Sequence, residues 1–191
     1  MNDIVVRNLT KEYDGNLILN HFNAIFPQGR MTIIMAPSGR GKTTLLRILM
    51  GLENYDSGEI IGISGQRKSA VFQEDRLCEN LNAISNIKLC NPNLDKEIIQ
   101  KALSAIGINA PQDQRVSEFS GGMKRRVAIC RALLAEHDIL FLDEPFKGLD
   151  EEQKQITMEF MKNHIFNTTT IYITHDSSEV DFFQPCQIIE L

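Results

Sequence analysis

No stretch of this chain of 191 residues is apolar over anything near the ~20 residues that a membrane-spanning helix needs. The opening segment, MNDIVVRNLTKEY, turns polar too early for a secretory signal peptide. Basic charge is short as well. Lys and Arg number 20 against 25 Asp and Glu, a formal net charge of −5. A cationic excess able to neutralise a phosphate backbone is therefore missing, and no nucleic-acid partner is expected. The four cysteines, Cys78, Cys90, Cys130 and Cys186, make neither a C-x-x-C pair nor a metal-ligand spacing, so reduced thiols in a cytosolic compartment are expected. Repeats and low-complexity segments are lacking too. What remains is a chain that is 42% hydrophobic and 24% charged, the balance of a globular domain long enough to bury a real core.

The chain is organised around residues 36–44, APSGRGKTT. An apolar run, Met31-Thr32-Ile33-Ile34-Met35, precedes them, and a segment of helical character, Leu45 to Met50, follows and stops at Gly51. Strand, glycine-rich turn and helix are the setting of a phosphate-binding P-loop. Free N–H groups of the turn and of the new helix point at one spot, where the helix dipole favours an anion. Ala36, Pro37, Ser38, Gly39, Arg40, Gly41, Lys42, Thr43 and Thr44 are thus the expected nucleotide-binding residues. Gly39 and Gly41 let the backbone approach phosphate, Lys42 reaches the β- and γ-phosphates, and the Thr43 hydroxyl is placed to ligate Mg²⁺. Ala36 stands where the pattern G-x-x-x-x-G-K-[ST] has its first glycine. An alanine there costs ~1–2 kcal/mol if φ must be positive and almost nothing if φ is negative.

Ile4-Val5-Val6 and Leu17-Ile18-Leu19 flank the turn signals Tyr13-Asp14-Gly15-Asn16, predicting a β-hairpin. Tyr13 beside that turn offers a ring for stacking on a purine, or sits as an ordinary sheet-edge tyrosine. Strands are predicted over 59–63 and 69–72, the second delivering Gln73 to its carboxyl end, where ligands gather in open α/β sheets. Helical spacing follows in Leu81, Ile84 and Ile87, and in Ile98, Ala102 and Ile106, with Gly107 as a stop. Ser120 reads as an N-cap for a helix burying Met123, Val127, Cys130 and Leu134. Gly121 and Gly122 expose N–H groups at its start, a second phosphate-facing surface. Lys124, Arg125 and Arg126 add positive charge there, or form a solvated basic face. Ile139 to Leu142 reads as a strand buried on both faces, ending in Asp143-Glu144. Two adjacent carboxylates at that end are costly to bury without a cation, so Asp143 is the expected Mg²⁺ partner and Glu144 is free to orient and deprotonate a water. Asp150 is expected to N-cap a helix over 151–164 that buries Ile156, Phe160 and Met161. The β-branched run from Thr169 to Thr174 ends in His175, placed like Gln73 and Asp143 beyond a strand's carboxyl end.

Taken together, these motifs resemble an ATP-binding cassette, the nucleotide-binding subunit of an ABC transporter, along essentially the whole chain and in order. Tyr13 matches the adenine-stacking A-loop, residues 36–44 the Walker A loop, and Gln73 the Q-loop, a metal or water contact. Residues 119–123 match the signature, with Ser120, Gly121 and Gly122 as contacts to ATP across a dimer. Residues 140–144 match Walker B, with Asp143 toward the metal and Glu144 catalytic. Residues 147–150 match the D-loop, including Asp150, and His175 the H-loop. Lys42, Glu144 and His175 are the catalytic set that the resemblance implies, with ATP and Mg²⁺ as cofactors.

The resemblance implies an α/β P-loop NTPase with a RecA-like core over 1–73 and 138–191, an N-terminal antiparallel β subdomain, and an inserted helical subdomain over 74–137. It implies an ATPase in a head-to-tail homodimer, bound peripherally at the cytoplasmic face of the membrane to separate permease subunits, with room for a substrate-binding protein. Residues 72–77 and 120–126 are similar to importers of the nitrate, sulfonate and taurine type. Ala36 departs from the family, as does the signature, which reads FSGGM. The sequence also stops soon after His175, short of the C-terminal helices of larger cassettes. Two rival readings differ from this one. A soluble cassette of translation or DNA repair brings a second cassette, or coiled-coil or zinc insertions, and none occurs here. A nucleotide-binding but hydrolytically weak regulatory subunit is favoured by Ala36 and opposed by Lys42, Glu144 and His175.

Overall fold

A computed structural model describes residues 2–35, 37, 39–111 and 113–191. In chain order the elements begin with β1 (Ile4–Tyr13), β2 (Asn16–Phe26), β3 (Met31–Met35), α1 (Lys42–Met50), β4 (Ser57–Ile61) and β5 (Lys68–Val71). Then come α2 (Ala83–Lys88), α3 (Lys96–Ala105), a single 3₁₀ turn (Val116–Glu118) and α4 (Gly121–Leu134). The chain continues through β6 (Ile139–Asp143), α5 (Glu151–His164), β7 (Thr169–Ile173), α6 (Ser177–Phe182) and β8 (Gln187–Glu190). Two compact units result. One comprises Met1–Lys68, Asp138–Asp143 and Phe166–Leu191; the other comprises Ser69–His137 and Glu144–Ile165.

In the first unit, β1 pairs antiparallel with β2 on one side and β4 on the other. The hairpin turn is tight: Tyr13 faces Asn16, and Asp14 and Gly15 both have positive φ, 49° and 81°. That is the pairing a two-residue type I′ turn requires, and Asp-Gly supplies it. Ile4, Val6 and Leu9 of β1 are buried, the alternation expected of a half-buried strand. The parallel strands of this unit run in the order β6-β7-β3-β8. Every residue of β6 and β7 is buried, as strands covered on both faces require. α1 packs on β6 and β7 through Leu45, Leu46, Ile48 and Leu49.

The second unit is helical, with α2, α3 and α4 in mutual contact and α5 against α4. Three expected faces turn out differently. On α3 the buried set is Ile99, Ala102, Leu103 and Ile106, whereas Ile98 is 50% exposed. The stripe i, i+3, i+4, i+7 begins at Ile99, and Ile98 lies about 100° round the helix from it. On α5, Ile156 is exposed, while Thr157 and Met158 join Phe160 and Met161 inside. Thr157 satisfies its hydroxyl by donating to the Gln153 carbonyl at 2.6 Å. On α4, Val127 and Cys130 are buried as expected, but Met123 and Leu134 are only half-buried. Arg125 and Arg126, at 4% and 6% exposure, are inside, so they form no solvated basic face. Burial pushes the Cys130 thiol up to about 12, which leaves it an inert core residue.

A buried polar group closes the first unit behind β7. The Tyr172 hydroxyl donates to Glu179 Oε2, and the Thr174 hydroxyl donates to the same oxygen at 2.5 Å. Phe183 packs edge-on against the Tyr172 ring at 5.8 Å between centroids. Burial first, and the Glu179 charge second, hold the phenol well above its ordinary range. Tyr172→Phe leaves Glu179 short of one donor and should cost about 1–3 kcal/mol in denaturant unfolding near neutral pH. The sign with pH follows from the raised folded value. An unfolded tyrosine ionises near pH 10 while the folded one stays neutral, so the stabilisation is complete below about 10 and is lost above it. The stability gap between wild type and Tyr172→Phe should therefore narrow as pH rises past 10. A gap that widens there would assign the hydroxyl the opposite role.

Candidate active site

In the first unit, β6, β7 and β3 are parallel neighbours, with Leu142 opposite Tyr172 and Ile33 opposite Tyr172 from the other side. Their carboxyl ends share one sheet edge. The edge receives the glycine-rich turn after β3, Asp143 from β6, and His175 two residues beyond β7. Ligands of open parallel sheets gather at such an edge.

Within the turn, Gly39 and Gly41 both have φ of 83°. A Cβ at Gly41 would also meet Ile18 Cγ2 at 2.8 Å, so glycine there serves both conformation and space. Gly41 is the N-cap of α1 and offers no side-chain bond to the first turn. The other α-helices differ: Asn82, Asp95, Ser120, Asp150 and Asp176 each cap their helix with a side-chain oxygen. The first turn of α1 carries no acidic residue either. No capping side chain therefore competes with an anion at this helix start. Lys42, only 7% exposed, donates to the Pro37 carbonyl at 2.9 Å, which keeps its ammonium inside the turn. Thr43 Oγ1 donates to Asp143 Oδ2 at 3.1 Å, joining the helix start to the end of β6. Arg40 is exposed and Thr44 half-buried. Ala36 and Ser38 lie outside the described residues, and with them the question of the backbone at Ala36.

His175 is exposed and borders a cavity of about 420 Å³, shared with Met35, Pro37, Glu190 and Leu191. Tyr13 is half in solvent. The Lys11 ammonium lies 4.7 Å from its ring centre and is held by Glu53 and Asp56, each at 3.6 Å. A cation over the ring holds it in place.

The second unit holds the remaining motif residues. Ser120 caps α4, accepting from the Met123 N–H at 3.2 Å. A Cβ on Gly121 would meet nothing within 4 Å, so the helix start is open to approach. Asp150 caps α5 through the Gln153 N–H at 2.9 Å. Gln73 is exposed after β5. Glu144 is 9% exposed, its φ is +46°, and its Oε2 lies 3.1 Å from the Lys147 ammonium.

The arginines after the signature, which the sequence left between charge at the helix start and a solvated face, are bound to main-chain carbonyls instead. Arg125 donates from Nη2 to the Glu144 carbonyl and from Nε to the Pro145 carbonyl, both at 2.7 Å. Arg126 donates to the carbonyls of Ile106 at 2.6 Å and Gly122 at 3.2 Å. Burial lowers the Arg126 pKa below its ordinary value, against an opposing pull from Asp150. A signal existed. Arg125 heads the stripe Ile129, Ala132 and Leu133 at i+4, i+7 and i+8, a wholly buried line.

Comparison with known proteins agrees with this geometry. The profile of the ABC transporter family matches residues 19–147. Among curated relatives, the spermidine/putrescine import ATP-binding protein PotA of Mesoplasma florum is 34% identical over 93% of this chain and 56% of the relative. The Fe(3+) ions import ATP-binding protein FbpC of Escherichia coli O157:H7 is 31% identical over the same shares. The chain spans about half the length of these relatives. Among solved structures, a bacterial Atm1-family ABC exporter with ATP bound superposes with a TM-score of 0.86 at 26% identity, over 100% of this chain and 37% of that one. The family profile covers well over half of the residues, and the curated relatives are import ATP-binding proteins: the chain belongs to the ABC transporter family and carries its ATP-binding domain.

Proposed function

We propose that this chain is the ATP-hydrolysing subunit of an importer, binding MgATP in a head-to-tail dimer and driving transport through separate membrane subunits. The observation that carries the reading is the 3.1 Å bond from Thr43 to Asp143 at the mouth of an anion-ready helix. Hydroxyl and carboxylate are the hard oxygen donors that Mg²⁺ prefers. Among the described residues no three acidic, His or Cys side chains form a metal cage, so the other ligands of the ion fall to phosphate and water, as is usual for Mg²⁺. Bound there, Mg²⁺ would neutralise charge on the β- and γ-phosphates. Lys42 moves its donor from the Pro37 carbonyl to the phosphates, and the first N–H groups of α1, which no side chain caps, hold them. Tyr13 stacks on adenine. Glu144 takes the proton of the attacking water, His175 positions the γ-phosphate, and Gln73 reaches the metal or its water.

Ser120, Gly121 and Gly122 serve the ATP held by a second copy, and Asp150 lies in the loop between the two. The permease subunits dock on the helical region over 74–137, where a cavity of about 390 Å³ is lined by Ala83, Ile84, Leu103, Ile108, Pro111 and Phe119. Among the described residues no helix is long and apolar enough to cross a membrane. Attachment to the cytoplasmic face through such partners, with a substrate-binding protein beyond them, fits the import role named for PotA and FbpC. The narrower likeness to nitrate, sulfonate and taurine importers rests on residues 72–77 and 120–126, whereas these relatives are named for polyamines and ferric ions.

Three substitutions test the parts separately. Lys42→Ala should weaken ATP binding about tenfold or more in calorimetry, the loss expected of a contact to a charged group; unchanged affinity would count against the whole site. Glu144→Gln should spare MgATP binding, lower phosphate release by ~10²–10⁴, and trap a dimer visible in size-exclusion chromatography. Near-normal turnover would remove Glu144 from the role of base. Ser120→Arg should bind ATP as a monomer yet neither hydrolyse it nor dimerise, and a monomer unable to bind would refute action across the dimer.

A further inference from the structure

We infer that Arg125 is a positioning residue, which holds the main chain of Glu144 and of the Gln73 loop in one rigid arrangement so that the base is set for hydrolysis. The inference rests on the reading of Glu144 as general base. Arg125 leaves the second turn of α4 and is almost wholly buried. Its Nε and Nη2 donate to the carbonyls of Pro145 and Glu144, each at 2.7 Å. Its Nη1 donates to the Phe72 carbonyl, lies 3.3 Å from the Gln73 carbonyl, and pairs with Asp75 Oδ1 at 3.3 Å. All three guanidinium nitrogens are thereby engaged, with acceptors drawn from two loops that lie about seventy residues apart in sequence. A planar fork with five donors in fixed directions suits this task.

The need for such a clamp is visible at Glu144. Its φ of +46° puts a non-glycine residue in the left-handed region. A conformation of this kind persists only where surrounding contacts over-determine it. The Glu144 carbonyl accepts from Arg125 Nη2 at 2.7 Å and from the Lys147 N–H at 3.2 Å, and the next carbonyl is fixed by Arg125 Nε. Two peptide groups in succession are therefore held, and with them the direction in which the Glu144 side chain leaves the backbone. The same guanidinium holds the carbonyl of Gln73, so the Q-loop and the base are tied through one group. α4, which carries both Arg125 and the Ser120 cap, is the third member of the block. Misplacing a reacting group by about 1 Å can cost ~10²-fold in rate without altering how substrate binds.

The test uses the full chain with Arg125→Lys, Arg125→Gln, Glu144→Gln and the double variant Arg125→Gln/Glu144→Gln. Each is checked for folding by thermal melt and assayed for ATP affinity, KM and kcat below its melting range. Arg125→Gln should keep ATP affinity and KM within about twofold and lose about 10–100-fold in kcat. Arg125→Lys retains the charge but not the fork, so it should fall between wild type and Arg125→Gln, and it carries the comparison should the glutamine variant not fold. The double variant should be no slower than Glu144→Gln alone, because a residue acting through the base has nothing left to position once the base is gone. Wild-type kcat in a folded Arg125 variant, an ATP affinity that falls in step with kcat, or losses that multiply in the double variant would each overturn the positioning role. A fast Glu144→Gln enzyme would instead bring down the base assignment, which separates the two failures.

Discussion

The structure depends on a parallel register that brings three strand ends to one edge. β6, β7 and β3 are neighbours, each buried along its length or nearly so, and β6 and β7 run out at polar residues, Asp143 and Thr174. Asp143 is the clearest case. It sits in register with Ile173, inside a wholly buried strand, and is itself 2% exposed. A carboxylate at such depth requires donors, and the Thr43 hydroxyl at 3.1 Å is one. The constraint works in both directions: the hydrogen bond that makes Asp143 tolerable also fixes the first turn of α1, which no side chain caps. The phosphate and metal sites proposed above would therefore share one joint between helix and sheet.

Burial of charge on α4 follows the same logic by different means. Arg125 and Arg126 give up hydration, and each recovers it from main-chain carbonyls. Carbonyls hold fixed positions once the chain is folded, so an arginine bound to several of them acts as a template for loop geometry. Asp75, a carboxylate partner of Arg125, is partly exposed, so that ion pair adds less than the carbonyl contacts do.

Much of this was legible in the sequence because the relevant features are local. Tyr13-Asp14-Gly15-Asn16 codes a two-residue turn by itself, Gly51 stops α1, and Ser120 and Asp150 cap the helices they precede. The β-branched and apolar runs ending at Asp143 and His175 mark the site edge without help from distant residues. What escaped was the orientation of helices, which depends on partners far away in sequence. Ile98 and Ile99 are equally apolar, and only packing against α2 and α4 decides that Ile99 faces in. Ile156 lost its place to Thr157, whose hydroxyl could be silenced by its own helix. The placement of Arg125 stayed open because a run of three cations also suits solvent, although its spacing to Ile129 and Leu133 pointed inward. Glu179 went unnoticed for a similar reason: a glutamate in a short polar helix gives no hint of the two hydroxyls behind it.

The way Glu144 is held bears on how the base proposed above would be aimed. A carboxylate that is to take a proton from water needs lone pairs that are not committed to strong fixed donors. Arg125 and the Lys147 N–H, which are fixed donors, act on the Glu144 main-chain carbonyl. The carboxylate itself meets the ammonium of Lys147 at 3.1 Å, and that lysine side chain is 66% exposed. An ion pair on such a mobile, hydrated partner is weak and easily exchanged for water. The left-handed backbone at Glu144 is thus held by main-chain contacts, and those contacts also set the direction in which its side chain leaves the chain.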